Sequence, residues 1–507
     1  MLNKITDSLL HNHEGFNLID SRWIPIADHG LVGLRDVFSA PYLGRLGGNA
    51  MQKIALFKLL LAIAQAAYTP KDDDEWNALT PEELGQRCVA YLEKWYDRFE
   101  LYGDSPFLQM PEISGAAIQD FGAVLPEIAT GNTTVFTQTQ REKPLSNADK
   151  ALLILVLCSL ALGGKKTDNR IVLSSGYRGK SNDKGKPSTG KAGSALGFMG
   201  LLHTFYLGNS ILETIYCNLF TASDIQQMTV FAEGLGTPPW ERMPNGENDS
   251  IAQTLKRSFI GRLLPMGRFC LLAENGLHYS EGIQHFGYKE EKVADPSVAI
   301  NLSGKEAKVL WVDPEKRPWR ELTALLSFIE TATFNCPQLS LPARRVKRKF
   351  SNIGIWSGGL RVSSNAGEQY VSGTDDFVES AAWFDTEYFN QTWFEQWKNA
   401  MQQLDKYAKT VYSTVAQFYR EQKLDGKAQA TLAANQFWLL CEQNLQALIE
   451  ACELITEDEN SNSVPLNMLY RSFIRYAYQI YDQYTANQTA RQLETWAKCR
   501  PHFAKNS

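Results

Sequence analysis

From Phe389 onward apolar residues return at steps of three, four or seven, a spacing that only helices satisfy over such lengths. Phe389, Trp393, Trp397, Met401, Leu404, Val411, Val415 and Phe418 form the first stripe. Phe437, Cys441, Leu445, Leu448, Cys452 and Ile455 form a second, and Leu469, Phe473, Tyr476, Ile480 and Tyr484 a third. A shorter segment, Thr489–Cys499, makes a fourth helix. The breaks, at Gly426 and over 457–465, are short, and long amphipathic helices joined by short connections pack antiparallel. Residues 385–507 are therefore predicted to be a C-terminal antiparallel four-helix bundle. A chain of 507 residues exceeds one hydrophobic core. Residues 1–384 read as a large mixed α/β N-terminal domain, and the fold class is α+β.

Within 1–384, Phe16–Ile26 (FNLIDSRWIPI) alternates as a strand closed by Pro25. Ala50–Ala67 is predicted to be a helix with Ile54, Phe57, Leu60, Leu61 and Ala64 on one face. Thr80, Pro81, Glu82 and Glu83 supply a cap, a first-turn proline and acids at the positive end of a helix running to about Leu101. Ala148–Leu162 is a buried helix, and Ala195–Leu207 is expected to be helix again. Residues 225–375 are mixed, with strands at Phe269–Leu272 and Val309–Trp311. Gly358-Gly359 and Asn365-Ala366-Gly367 suggest a hairpin with an exposed tip.

Residues 163–193 cannot bury themselves. They carry eight Lys and Arg against Asp168 and Asp183, a local charge of +6 in a chain of −5, with seven glycines between them. The segment is a long cationic loop that suits a polyanion, a solvated insert being the plain alternative. Arg344, Arg345, Lys347, Arg348 and Lys349 make a second basic run, equally suited to a protein or RNA partner. The pI near 5.9 confines nucleic-acid contact to such patches. Eight cysteines without a CxxC pair suggest a reduced compartment and no structural zinc. The N-terminus lacks the apolar core of a signal peptide, and 152–162 is too short to span a bilayer. The expectation is a cytoplasmic protein without membrane contact.

Gly185–Ala192 (GKPSTGKA) is a Walker A pattern with alanine in the place of the Mg²⁺-binding Ser or Thr, and no apolar strand precedes it. A second near-match, Ser174–Ser181, lacks the first glycine. Asp72–Glu75 could hold a cation but reads more simply as a solvated acidic turn. No HExxH or GxSxG pattern occurs, and the histidines are isolated. No catalytic residue, cofactor or metal site is predicted. Three segments, Thr133–Arg141, Gly163–Gly193 and Arg344–Asn365, join exposed backbone to polar or cationic groups that could meet phosphates and groove edges.

The chain also resembles the CasA family, the large subunit of the type I-E CRISPR Cascade surveillance complex. The resemblance rests on an ordered set: the opening FNLIDSRWIPI, Pro70–Trp76 (PKDDDEW), Asp104–Gln109 (DSPFLQ), Thr134–Gln138 (TVFTQ), the glycine-rich loop, Gly358–Arg361 and Gln436-Phe437-Trp438 in the helical C-terminus. It implies a subunit that is not an enzyme and that reads the protospacer-adjacent motif on double-stranded DNA, promotes strand opening and helps recruit a helicase-nuclease. Guide RNA and the other Cascade subunits would be its partners. Carried over, Phe136 and Gln138 would lie in a recognition loop near the guide. Gly176, Arg178, Gly179, Lys180, Lys184, Lys186, Gly190 and Lys191 would form the glycine loop. Val362–Asn365, with Ser363, Ser364 and Asn365, would form a wedge, and Arg361 beside it in the hairpin would also contact DNA. This wedge lacks the glutamine of the best-known members, and the glycine loop is longer and richer in lysine. The family's lysine finger would fall in His278–Lys292, with Gln284 or Lys289 as candidates. A P-loop-like nucleotide-binding enzyme and a scaffold subunit without DNA contact are the alternatives.

Overall fold

The computed structural model describes residues 15–125, 144–160, 171, 200–247, 249–288, 295–331, 333–361, 377–457 and 463–503. The chain divides into two compact units, both discontinuous in sequence. The first comprises Met1–Pro314, Thr333–Lys349 and Trp356–Glu379; the second comprises Glu315–Ala332, Phe350–Ile355 and Ser380–Ser507.

The first unit opens on β1 (Ile24–Ile26), paired antiparallel with β2 (Gly30–Val32). The strand expected over 16–26 is thus only its last three residues. Asn17 turns the rest, its side chain accepting from the Ile19 N–H at 2.9 Å and its carbonyl from the Ser21 N–H at 2.8 Å. Helix α1 (Ala50–Ala67) has the predicted bounds, with Asn49 accepting from the Gln52 N–H at 3.0 Å as cap. It is buried nearly all round, a core helix rather than a one-faced one. Among the described residues it is also the one helix long and apolar enough to cross a membrane, but its surface is covered by this unit.

Helix α2 (Asp73–Ala78) is capped by Asp72, and α3 (Pro81–Lys94) by Thr80 with Pro81 in its first turn. α3 ends at Lys94, short of Leu101, because the chain tightens at Tyr96–Arg98 and carries Phe99 onto the Phe107 ring, 4.9 Å between centroids. β3 (Ile118–Asp120) and then α4 (Asn147–Ser159) follow.

β4 (His203–Leu207) corrects the helix expected at 195–207. All five of its residues are buried, so no alternation betrays a strand, and its aromatic and β-branched residues suit a buried sheet. β5 (Arg268–Ala273) and β6 (Gly276–Glu281) form a hairpin in a sheet of order β3-β6-β5. β7 (Ile300–Asn301) pairs with β8 (Lys308–Val309), shorter than the expected 309–311 strand and offset from it. After α5 (Ala343–Lys349) come β9 (Asn352–Leu360) and β10 (Phe377–Asp385), in a second sheet of order β10-β9-β4.

The second unit contains α6 (Gln391–Glu421), α7 (Lys427–Glu442), α8 (Leu445–Glu457), α9 (Ser463–Tyr484) and α10 (Ala490–Cys499). α6 packs on each of the other four, and α9 also on α7 and α8. The stripe that reads as one second helix is two. Asn444 interrupts it without glycine or proline, its side chain donating to the Leu440 carbonyl at 3.2 Å while its own carbonyl accepts the Leu448 N–H of α8 at 2.9 Å.

Candidate nucleic-acid interface

The described residues that flank the predicted contact segments lie on a small set of elements. α4 begins at a Ser146–Asp149 capping box and is apolar on every side from Ala151 to Cys158. Its thirteen residues span about 20 Å. Segment 126–143 rejoins the described chain just before its N-terminus, and 161–199 starts at its other end. The Gly267 N–H donates to the Cys158 carbonyl at 3.0 Å and fixes that end against the lead-in to β5. Ile171 is held partway along, its carbonyl accepting from the Ser280 hydroxyl of β6 at 3.1 Å.

The chain returns at Gly200, whose carbonyl accepts from the Val312 N–H at 2.8 Å, and Leu201 bridges to Trp311. It then enters β4 beside β9. The Thr204 hydroxyl donates to the Trp356 carbonyl at 2.9 Å. A Cβ at Gly359 would lie 2.9 Å from the Leu201 carbonyl oxygen and 2.6 Å from a Val312 methyl. A Cβ at Gly358 would lie 2.7 Å from the Trp356 ring and 2.8 Å from the Val378 carbonyl oxygen. The two glycines therefore belong to the packed arm of the hairpin rather than to its tip. They allow β4 and β10 to close on β9. The exit of 172–199 and the departure of 362–376 consequently stand on adjacent strands, about 5 Å apart.

Of the expected contact residues, Arg361 alone lies within the described residues, half-buried directly after β9. Phe136, Gln138, Gly176, Arg178, Gly179, Lys180, Lys184, Lys186, Gly190, Lys191, Ser363, Ser364 and Asn365 lie outside them, as do both Walker-like stretches and Lys289. Gln284 is a poor finger. Its amide donates to Glu281 and to the Gly282 carbonyl, both at 3.3 Å.

The basic run 344–349 departs from expectation. Arg345 is buried and donates to Asp224 at 2.7 Å, to the Leu219 carbonyl at 2.7 Å and to Asp73 at 3.2 Å. Arg344 donates to Asp73 at 2.7 Å and Lys349 to the Asn77 carbonyl at 2.9 Å. α5 is thereby riveted to α2, and the acidic turn that looks solvated in the sequence is its counterpart. Burial raises the Asp73 carboxyl, but hydrogen bonds and charge from Arg344 and Arg345 outweigh it and lower its pKa.

His203, Ser297, Asp295 and Lys58 form a sealed chain. The His203 ring meets the Ser297 hydroxyl at 2.8 Å, Ser297 donates to Asp295 at 2.7 Å, and Lys58 is ion-paired with Asp295. The acid touches the serine and not the histidine, the reverse of a nucleophilic triad. Burial first, then the Lys58 charge, hold His203 well below its usual pKa, so it is neutral. Burial and nearby cations likewise push His285 down to about 3. Among the described residues no three His, Cys, Asp or Glu side chains converge as metal ligands. Nothing in the sequence singles out Lys53 and Glu379, which pair across 326 residues; Lys53 is one of two lysines, with Lys58, on an otherwise apolar helix.

Comparison with known proteins agrees with this architecture. The family model described as CRISPR-associated protein Cse1 matches residues 17–476. A CRISPR-associated protein CasA/Cse1 of Thermus thermophilus is 28% identical over 340 residues, which span 62% of this chain and 60% of the relative's length. The crystal structure of Thermus thermophilus CasA superposes with a TM-score of 0.68 at 18% identity, over 96% of this chain and 98% of that one. Thermobifida fusca Cse1 does so at 0.68 and 19%, over 96% of each chain. A chain of a CRISPR RNA-guided surveillance complex gives 0.66 at 14%, over 96% and 98%. At such identities the superpositions speak for the fold, which is mixed helix and sheet.

Proposed function

Because the chain belongs to the CRISPR-associated protein Cse1 family, we propose that it is the large, non-catalytic subunit of an RNA-guided Cascade complex in the cytoplasm. In this reading it recognises the protospacer-adjacent motif on double-stranded DNA. Guide RNA held by the other subunits then reads the sequence. The observation that carries the proposal is the adjacency of β4 and β9. The described chain that follows the cationic glycine-rich segment, at Leu201, and the last residues of β9, at Gly359, thus meet at one end of one sheet. Lysines there would bind phosphate without reading sequence, while glycine backbone and the polar Ser363, Ser364 and Asn365 would approach the groove edges. The helices after 385 would act as a four-helix bundle, α7 and α8 serving as one bent member, with the helicase-nuclease recruited after strand opening.

The test is the salt dependence of target binding by the assembled complex. Lys180, Lys184, Lys186 and Lys191 changed together to Ala should weaken duplex binding. The slope of log K against log salt should flatten by about 0.9 for each phosphate no longer neutralised, up to about 3.6. An unchanged slope in a gel-shift titration assigns this loop another duty. Failure of the unaltered complex to shift the duplex would favour a scaffold without DNA contact.

A further inference from the structure

We propose that Lys53, acting through Glu379, is a positioning residue that braces the β9–β10 hairpin for strand opening; this rests on the reading that the hairpin's tip meets the duplex. The Lys53 ammonium donates to both Glu379 oxygens, at 2.8 and 2.7 Å, and the Trp356 indole N–H donates to one of them at 2.9 Å. One carboxylate thus ties α1 to both arms of the hairpin. Trp356 stands four residues before the end of β9, and Glu379 two residues after the start of β10.

Lys53 and Phe57 are four residues apart and share a face of α1. Phe57 stacks on Phe205 of β4 at 3.8 Å and 8°, and Phe205 on Trp356 at 4.8 Å and 25°. The rings make a continuous column from the core helix, through the strand that ends the cationic segment, into the hairpin arm. Gly358 leaves room for the indole that completes it. The ion pair closes the outer end of this column.

A wedge that unstacks a duplex bears the reaction to that strain, so its direction is only as firm as its mount. α1 is buried nearly all round, and a close-packed core resists displacement. The clamp itself is partly wet, with Lys53 20% and Glu379 41% exposed. An ion pair so exposed adds little to folding stability, so its loss should not unfold the chain and its effect on the hairpin can be read separately.

The experiment uses the assembled complex with K53A, E379Q and K53R, beside S363A/S364A/N365A as control for the tip. Gel shift reads duplex binding, permanganate reactivity of target thymines reads opening, and thermal unfolding reads stability. K53A and E379Q are expected to keep duplex affinity within about twofold and Tm within about 2 °C. They should slow opening about tenfold, and K53R should open like the unaltered protein. Normal opening in K53A and E379Q, with slow opening in the tip variant, overturns the brace alone. Normal opening in the tip variant overturns the underlying reading. A K53R protein as slow as K53A, or a loss of opening that follows a large drop in Tm, overturns the pairing as the cause.

Discussion

Lys58 lies on α1 with its ammonium against Asp295, and each side chain is about 1% exposed. Two charges sealed from water stand only while both are present, because the survivor of a broken pair keeps its full desolvation penalty. Lys58→Met is therefore expected to cost about 3–5 kcal/mol in urea unfolding. The K58M/D295N double variant should recover more than half of that, since the amide oxygen introduced at position 295 can still accept from Ser297. A single variant as stable as the parent would mean that water reaches the pair. None of this network is legible in the sequence. Lys58 interrupts an apolar helix as an exposed lysine would, and its partner is 237 residues away. Arg345 misleads in the same way, looking like surface charge until Asp73 and Asp224 come up beside it. By contrast Asn49, Asp72, Thr80 and Ser146 act through neighbours within three residues, and that is the range over which sequence alone decides an outcome.

Elements show the same rule at a larger span. α1 and α3 begin where their caps stand, but β4 reads as helix because a strand buried on both faces loses the period-two signal. β9 and β10 pair on either side of the stretch that reads as a hairpin, although Gly358 and Gly359 serve packing in the arm and 365–367 lie outside the described residues. β10 is an edge strand, and helix α8 covers part of that edge with side chains. Gln446 exchanges hydrogen bonds with the Trp383 backbone at 3.2 and 3.1 Å, and Glu453 accepts from the Asp385 N–H at 3.1 Å. Burial, with the charges of Asp385 and Glu450, pushes Glu453 up to about 7 against that hydrogen bond. The folded chain thus holds this proton below about pH 7, whereas the unfolded chain holds it only below about 4.5. Stability contributed here falls as pH rises through that window. E453Q, which keeps the acceptor and removes the charge, should raise Tm at pH 8 relative to the parent. At pH 5, where the parent is already protonated, the gain should vanish; equal gains at both pH values would refute this assignment.

At the scale of the molecule, charge and connectivity pull the chain in different directions. Removing the +6 of 163–193 from a total of −5 leaves −11 on the rest, so a polyanion is attracted to one region of an otherwise repelling body. That asymmetry is visible in sequence; the path of the backbone is not. The helical pattern suggests a self-contained bundle from 385, yet its unit draws on 315–332 and 350–355 as well. Trp319 packs edge-on against Trp438 at 5.7 Å, and Arg320 lies 4.0 Å over the same ring. The Trp397 indole donates to the Thr323 hydroxyl at 3.2 Å, and Arg317 pairs with Glu442 at 3.1 Å. Without 315–332 the helices would expose two tryptophans that the unit keeps buried. Loss of the Trp319 side chain alone corresponds to about 3–5 kcal/mol. A fragment of residues 385–507 should therefore bind ANS and unfold at low urea, whereas the same fragment with 315–332 joined through a flexible linker should gain at least about 3 kcal/mol. If both fragments unfold at the same midpoint, the helices after 385 are a domain in their own right, and the earlier segments merely lie against them.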